Sequence, residues 1–179
     1  MDKQLETKLR ELIDRDEIWQ VLQRYGRGLD RFDRELVRSC YFDDAIEDHG
    51  TYVGYPDDFI TWANQSSAYF AETHHGVMNH HCELKGDDAY AETYYLFIGV
   101  AREPPHLMSM GRYIDHFQRR NGEWRIANRV ALIEKNFDLA DRAASMAGKI
   151  EIPMGSRDKN DFSYQRPLRP RQPARKRKD

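Results

Sequence analysis

The chain has 179 residues, about the length of one domain, and its 40% hydrophobic and 12% aromatic content is sufficient for one core. Its formal net charge of −2 is unevenly distributed: seven Lys or Arg residues and one Asp give residues 166–179 a net charge of +6, which leaves −8 on residues 1–165. Because an acidic domain does not attract the phosphate backbone, we expect no nucleic acid partner.

The chain shows no pattern typical of export or of membrane insertion. Residues 1–17 are charged throughout and lack the apolar run of a signal peptide. The longest nearly apolar stretch, residues 94–101, is far shorter than the roughly 20 residues of a membrane span. Cys40 and Cys82 form neither a disulfide framework nor a zinc pattern, so each is interpreted as a small core residue. We therefore expect a cytoplasmic protein with no membrane partner.

Helical spacing characterises the first third of the chain. Residues 6–32 are predicted to be helical, with a possible break at Asp14 or Asp16, because apolar residues recur every three or four positions at Ile18, Leu22, Tyr25 and Leu29. Gly26 and Gly28 weaken the end of this helix, where another element can approach closely. Asp33 is the predicted N-cap of a short helix, residues 45–48 and 51–53 are predicted strands, and Pro56 is predicted to begin another helix.

A period of two characterises the chain after residue 77. Strands are predicted at 77–84, 89–102, 108–119 and 123–134, with turns at 85–88 and at Asn121-Gly122. Helices followed by an antiparallel meander predict an α+β domain whose curved sheet wraps over the helices. We assign residues 1–138 to this domain. Residues 139–165 would form an extension able to cover a pocket, with a short helix at 139–147 and an extended piece at 150–154. Residues 166–179 form a basic, proline-rich tail.

Four of the seven histidines lie within residues 72–81, which read ETHHGVMNHH. This segment falls where the helical pattern ends and the strand pattern begins, so we expect it at the mouth of a pocket. A histidine there suits proton transfer because its unperturbed pKa of about 6.5 lies near neutral pH. Ordinary half-buried histidines and a metal cluster are the alternative interpretations. His80 and His81 point to opposite faces of a strand, which argues against a metal site that also includes His75. His49, His106 and His116 are interpreted as surface or strand residues.

Several segments together resemble a known family. YGRGLDRFD at 25–33, FDDA at 42–45, THHGVMN at 73–79 and GRYIDHFQRRNGEWRIANR at 111–129 follow one another in the order seen in the SnoaL-like branch of the nuclear transport factor 2 superfamily. The resemblance covers residues 8–135 and implies a cone-shaped α+β barrel with a deep, mostly apolar pocket. Within the superfamily, the chain is most similar to cofactor-free lyases of the scytalone dehydratase type.

The resemblance implies a set of site residues. Asp30 matches the aspartate of a catalytic pair and His75 matches its histidine; His75 is preferred to His74 because Asn79 follows it by four residues. Tyr25 and Arg129 match positions that supply hydrogen-bond donors. The substrate-binding residues would be Tyr52, Trp62, His81, Tyr95 and Phe97. No metal and no cofactor are implied.

Two geometric objections apply to these assignments. Tyr25 and Asp30 lie about 140° apart on an ideal helix, so their spacing alone does not direct both side chains into one pocket. Arg129 shares a strand face with Arg125, whereas the apolar Ile126 and Val130 occupy the other face. Arg129 would therefore point outward unless its face is turned to the interior or a bulge intervenes.

These assignments predict a cofactor-independent lyase that removes a proton and expels water or formaldehyde from a hydroxylated aromatic or polycyclic molecule. Asp30 would fix the tautomer of His75, which acts as the base, while Tyr25 and Arg129 stabilise developing negative charge. An isomerase or cyclase on the same scaffold, or a non-catalytic binding module, is the alternative, because fold alone does not decide function. The expected partners are a hydrophobic, hydroxylated small molecule and further copies of the chain, most simply in a homotrimer.

Overall fold

The computed structural model describes residues 2–141, 155–168 and 170. The three helices are α1 (Lys3–Asp30), α2 (Arg34–Arg38) and α3 (Pro56–Ser67). The six strands are β1 (Tyr41–Asp48), β2 (Val53–Gly54), β3 (Phe70–Lys85), β4 (Asp88–Ala101), β5 (His106–Arg120) and β6 (Glu123–Leu139). A short 3₁₀ turn spans Phe162–Tyr164. In the part of the chain that the structure describes, no helix is long and apolar enough to cross a membrane.

All six strands form one curved sheet in the order β2-β1-β6-β5-β4-β3. The pair β1 and β6 is parallel and every other neighbouring pair is antiparallel. Since β2 and β3 lie at opposite edges, the sheet is not closed, and α1 packs against both β3 and β6. This arrangement confirms the predicted α+β fold, with N-terminal helices held in a curved and mainly antiparallel sheet.

Helix α1 is continuous, so the predicted break at Asp14 or Asp16 is wrong. Asp14 accepts hydrogen bonds from Arg119 at 2.7 Å and from Trp124 Nε1 at 2.9 Å. Its carboxylate therefore bonds to the sheet and does not compete with the helical backbone. The second half of α1 supplies the core with Ile18, Val21, Leu22, Tyr25 and Leu29.

Strand β3 begins at Phe70, seven residues before the predicted start at residue 77. The histidine segment therefore lies within a strand and does not precede one. Thr73 and His75 face inward whereas His74 is exposed, so inward and outward residues alternate as in a strand. The inward residues at this end of the strand are mostly polar. The turn prediction at Asn121-Gly122 is confirmed: the φ angles of 55° and 83° are those that a tight hairpin requires.

A β-bulge in β6 decides which side chains of that strand face the interior. Phe117 pairs with Ile126 and His116 pairs with Asn128, which leaves Ala127 as the extra residue. Beyond Ala127 the inward positions change parity, so Arg129 is buried and Val130 is 40% exposed.

The chain after β6 returns to the end of α1. The Tyr164 hydroxyl donates to Oδ2 of Asp33 at 3.0 Å, and Arg31 pairs with Asp161 at 3.5 Å. Arg157 donates to the carbonyl oxygens of Ser67 and Phe70, at 2.8 and 3.0 Å. The extended piece predicted at 150–154 lies outside the described residues, and so does most of the helix predicted at 139–147. Of that helix the structure describes Leu139, which ends β6, and residues 140–141, which are not helical.

Candidate active site

A cavity of about 210 Å³ lies between the helices and the sheet. It is smaller than the ~300–1,000 Å³ of sites for drug-sized ligands, which favours a substrate of one or two rings over a larger one. Its walls are mainly aromatic, with Tyr25, Phe59, Trp62, Phe70, Tyr95, Phe97 and Tyr113. Its polar wall groups come from five elements or loops and comprise His49, Ser66, Ser67, His75, Ser109 and Asn136.

Asp30 and His75 form a hydrogen-bonded pair at the edge of this cavity. Oδ1 of Asp30 lies 2.7 Å from Nδ1 of His75, and Oδ2 accepts a hydrogen bond from the backbone N–H of His75 at 3.0 Å. The Thr73 hydroxyl donates to Oδ1 at 3.0 Å. The two side chains are only 13% and 11% exposed. The carboxylate is thus held by three donors from the inward face of β3.

These donors set the charge of Asp30 and the tautomer of His75. Burial alone would raise the pKa of Asp30, but the hydrogen bonds from His75 and Thr73 lower that pKa below its usual value. An ionised carboxylate only accepts, so Nδ1 of His75 carries the hydrogen atom of the bond between them. Nε2 is then left with a lone pair, and no described residue hydrogen-bonds to it.

Gly26 allows helix α1 to approach β3 closely at this pair. A Cβ atom at residue 26 would lie 3.3 Å from the Cβ of His75, which is tighter than most such contacts. His75 therefore sits between two residues of the helix: its ring lies 6.5 Å from the ring of Tyr25 and bonds Asp30. Tyr25 lines the cavity, whereas Asp30 lies on the side of His75 away from it, lining a groove along α1. The angle of about 140° between Tyr25 and Asp30 around the helix axis therefore does not prevent both from contacting His75.

Arg129 lies behind the cavity wall and does not line the cavity. It makes a bidentate pair with Asp115 at 2.6 and 2.8 Å, and both side chains are fully buried. Its guanidinium lies 4.2 Å from the ring centroids of Tyr25 and Tyr113. Arg129 is therefore inside the fold because of the bulge, but the structure does not bring it to the substrate space.

The predicted substrate-binding residues divide into three groups. Trp62, Tyr95 and Phe97 line the cavity. Tyr52 stacks on Trp62, with 5.4 Å between ring centroids, and so supports the wall from behind. The assignment of His81 needs correction, since it is exposed on the outer face of the sheet beside Tyr90 and Glu92. Successive strand residues point to opposite faces, and the inward position next to it belongs to Cys82.

Sequence reasoning missed the side chains Glu47 and His49. The sequence suggests an ordinary surface or strand residue at His49, but its ring lines the cavity, and its Nδ1 lies 2.9 Å from Oε1 of the fully buried Glu47. The alternation of Ala45, Glu47 and His49 along β1 and just beyond it was the available signal.

The described residues that line the cavity include none from 155–165. Residues 155–165 pack behind Asp30, where Arg157 donates to the Asp30 carbonyl oxygen at 3.4 Å and stacks over Phe32. Within the described ranges 2–141, 155–168 and 170, no three His, Cys, Asp or Glu side chains are grouped so that they could hold a metal ion.

An open α+β fold with a buried aromatic cavity and an imidazole at its wall defines a class of small-molecule site. The model of the SnoaL-like domain matches residues 10–130, so the chain belongs to the SnoaL-like family of the nuclear transport factor 2-like superfamily. A comparison with curated proteins gives no significant match.

Several solved structures share the fold. A type 2 hexachlorocyclohexane dehydrochlorinase (LinA) is 21% identical with a TM-score of 0.71, over 79% of this chain and 99% of that one. A putative scytalone dehydratase from Novosphingobium aromaticivorans is 20% identical with a TM-score of 0.66, over 79% and 97%. A type 3 LinA from Novosphingobium barchaimii is 18% identical with a TM-score of 0.67, over 82% and 99%. At these identities the likeness concerns the fold.

Proposed function

We propose that this protein is a cofactor-independent lyase that uses His75 as a general base. It removes a proton from a hydroxylated aromatic molecule and eliminates water or formaldehyde. The observation that carries the proposal is the 2.7 Å contact between Oδ1 of Asp30 and Nδ1 of His75, at a histidine that lines an aromatic cavity. The dehydratase and dehydrochlorinase named among the structural neighbours are consistent with elimination chemistry.

Asp30 would act through His75. Its carboxylate keeps the hydrogen atom on Nδ1, so that Nε2 faces the substrate as an acceptor, and it stabilises the imidazolium formed when Nε2 takes a proton. General-base catalysis of this kind is worth roughly 10²–10⁴-fold in rate.

Tyr25 would stabilise the negative charge that develops on the substrate. Its hydroxyl group is completely buried and has no hydrogen-bond partner among the described residues, although the side chain lines the cavity. Burial raises the pKa of Tyr25 well above its ordinary value, so the phenol stays protonated and can donate. Arg129, which stacks on Tyr25, would position that ring and not contact the substrate.

The aromatic walls would bind the substrate mainly by burying apolar surface. Trp62, Tyr95 and Phe97 offer flat faces for an aromatic ring, and Ser109 and Asn136 offer polar contacts for its hydroxyl groups. The volume of about 210 Å³ favours a monoaryl or diaryl compound over a tetracyclic one.

The test is a turnover screen of purified, chelator-treated protein on hydroxylated diaryl, polyketide-like and steroidal compounds. Asp30→Asn and His75→Ala should each lose about 10²-fold or more in kcat/KM on the converted compound. His74→Ala is the matched control, because His74 is the adjacent histidine and points outward. Unchanged turnover in both test variants would refute the assignment, and binding without turnover would identify a binding module.

We also propose that copies of the chain associate through the outer face of the sheet, most simply as a trimer. That face exposes the large apolar side chains Met78, Tyr90, Tyr94, Met110, Ile114, Val130 and Leu132. Sedimentation velocity should give three times the monomer mass, and Ile114→Glu should lower the mass because it buries a charge in the contact. A monomer at every concentration would contradict the proposal.

A further inference from the structure

A second pair of imidazole and carboxylate faces the cavity that His75 lines. Nδ1 of His49 lies 2.9 Å from Oε1 of Glu47, and the Tyr41 hydroxyl donates to Oε2 at 2.7 Å. The Glu47 side chain is 0% exposed and that of His49 is 22% exposed. Each histidine of the cavity is thus held through Nδ1, and no described residue hydrogen-bonds to Nε2 of His49.

Local structure fixes the His49 ring. Ala45 and Glu47 are the inward residues in the second half of β1, and His49 occupies the next inward position, one residue beyond the strand. Its backbone N–H donates to the Tyr52 carbonyl oxygen at 2.7 Å, which closes the turn. The ring packs against Phe59 and Trp62, with centroid separations of 5.4 and 5.6 Å.

The two cavity histidines contact different members of one stacked aromatic pair. Tyr25 and Phe59 are nearly parallel, with an interplanar angle of 10° and centroids 6.4 Å apart. His75 approaches Tyr25 at 6.5 Å, and His49 approaches Phe59 at 5.4 Å. A substrate lying along this pair would therefore have one imidazole near each end.

The charges around the two histidines differ. Arg129 is bound by Asp115 through two hydrogen bonds, so these two buried charges compensate each other. Glu47 is equally buried, and among the described residues its carboxylate hydrogen-bonds only with the Tyr41 hydroxyl and with His49. Burial raises the pKa of Asp115, but the bidentate contact with Arg129 opposes that shift and favours the carboxylate. With both carboxylates ionised, the buried set of Arg129, Asp115 and Glu47 has a net charge of −1. An imidazolium at His49 would bring that charge to zero, and buried charges are generally compensated in this way.

The neighbouring phenols and the carboxylate of α3 add no buried charge to this set. The phenols of the region stay neutral because burial raises their pKa values above the ordinary one: Tyr25, Tyr41, Tyr52 and Tyr113. Asp58 on α3 is exposed to solvent. At His75, by contrast, three hydrogen bonds already satisfy the Asp30 carboxylate, and the Arg157 guanidinium lies against the Asp30 backbone. The two histidines thus lie in different surroundings: the carboxylate beside His49 has two hydrogen-bond partners and the one beside His75 has three.

We propose that His49 is the general acid of the lyase reaction, an inference that rests on the function proposed above. Nε2 of His75 takes the proton from a carbon atom of the substrate, and the electrons of that C–H bond form the new C=C bond. The C–O bond to the neighbouring carbon breaks, and the departing hydroxyl takes a proton from Nε2 of His49 and leaves as water. Solvent then removes a proton from His75 and returns one to His49.

The same pair suits loss of formaldehyde from a 1,3-diol. His75 takes the proton of the primary hydroxyl, whose O–H electrons form the C=O bond of formaldehyde. The C–C bond breaks and its electrons form a C=C bond, while the second hydroxyl leaves as water with the proton of His49. Both versions need an acid and a base at separate ends of the substrate, as the cavity provides.

The experiment compares leaving groups. The compound converted by the wild-type protein, and its analogue with chloride in place of the departing hydroxyl, are given to His49→Gln, Glu47→Gln and His75→Ala. His80→Gln is the matched control, because His80 is a half-buried histidine outside the cavity that bonds Thr93. Since chloride leaves without a proton, His49→Gln should lose about 10²–10⁴-fold on the hydroxyl compound and keep its rate on the chloride. His75→Ala should lose activity on both compounds.

The outcomes separate the two proposals. Normal turnover by His75→Ala would refute the assignment of His75 as the general base and with it the proposed function. The role of His49 alone would be overturned if His75→Ala loses activity but His49→Gln does not discriminate between the compounds. In that case His49→Gln would lose activity equally on the hydroxyl compound and the chloride, or on neither. If His49→Gln fails to fold by circular dichroism, the same selective loss is required of Glu47→Gln. An independent readout is ¹⁵N NMR of the wild-type imidazoles at the pH of maximal turnover: His49 should carry protons on both nitrogens and His75 on Nδ1 only, and a neutral His49 would refute its role.

Discussion

At the residue scale, the Tyr25 hydroxyl should favour catalysis as a hydrogen-bond donor while it lowers the stability of the fold. It is buried, and no described residue hydrogen-bonds to it. An unpaired buried polar group costs about 1–3 kcal/mol. Tyr25→Phe should therefore leave the free energy of unfolding unchanged or raise it slightly, while kcat falls by about 10–10³-fold because the donor is lost.

Tyr41→Phe is the matched control for this prediction. The Tyr41 hydroxyl donates to Glu47 at 2.7 Å, so its removal leaves a buried carboxylate short of a donor. We expect this variant to lose about 1–3 kcal/mol of stability in urea unfolding. Equal stability losses in the two variants would show that Tyr25 has a partner of its own.

Asp30 should give the protein an acid-sensitive contribution to stability. Burial alone would raise its pKa, but the bonds from His75 and Thr73 lower it. A carboxyl group with a lowered folded-state pKa stabilises the fold above its unfolded pKa of about 3.9, and this contribution is lost as pH falls through the folded-state pKa. The free energy of unfolding of Asp30→Asn should therefore depend less steeply on pH below about pH 4 than that of the wild type. Urea titrations at several pH values would measure it, and parallel curves would contradict it.

At the element scale, two glycines near the end of α1 differ in how closely a neighbouring side chain approaches them. A Cβ atom at Gly28 would lie 2.6 Å from Val37 Cγ2 and 3.0 Å from the Val37 nitrogen, whereas at Gly26 the nearest contact is 3.3 Å. Gly28→Ala should lose about 1–3 kcal/mol, because overpacking outweighs the ~1 kcal/mol that alanine contributes in a helix. Gly26→Ala should be nearly neutral in urea unfolding, and a larger loss there than at Gly28 would reverse this assignment.

The elements that sequence could predict are those with an unambiguous pattern. The Asn121-Gly122 turn follows from two residues that tolerate positive φ, and the second half of α1 follows from its apolar spacing. The start of β3 was missed because Thr73 and His75 occupy inward positions normally held by apolar residues. Thr73 and His75 are polar and donate to Asp30, so the hydrogen bonds of the candidate site obscured the strand pattern.

At the scale of the whole molecule, the buried ion pair of Arg129 and Asp115 links β5 and β6 beneath the aromatic wall. Removal of one partner leaves a buried charge without compensation. Arg129→Met should lose about 3–5 kcal/mol, and Arg129→Met combined with Asp115→Leu should recover a large part of that loss. Urea unfolding of both variants measures this, and a double variant no more stable than the single one would contradict it.

The sequence could predict where the candidate site lies better than which side chains surround it. Asp30 and His75 could be paired because the family pattern places an aspartate at the end of the long helix and a histidine just before the strand that follows the helical region. Glu47 and His49 have only the short alternation along β1 as a signal, and the burial of Arg129 depends on contacts between distant strands. Arg129 depends in addition on the bulge, which no local pattern of residue types around Ala127 reveals.

The bulge at Ala127 also affects how the chain tolerates change over evolutionary time. Loss of that single small residue would alter no charge and no functional group, and it would restore regular alternation with Arg129 still opposite Asp115 and Val130 still outward. In a lineage of such proteins, a gap at this position would therefore be tolerated more readily than a gap elsewhere in β6, which would reverse the faces of the residues beyond it.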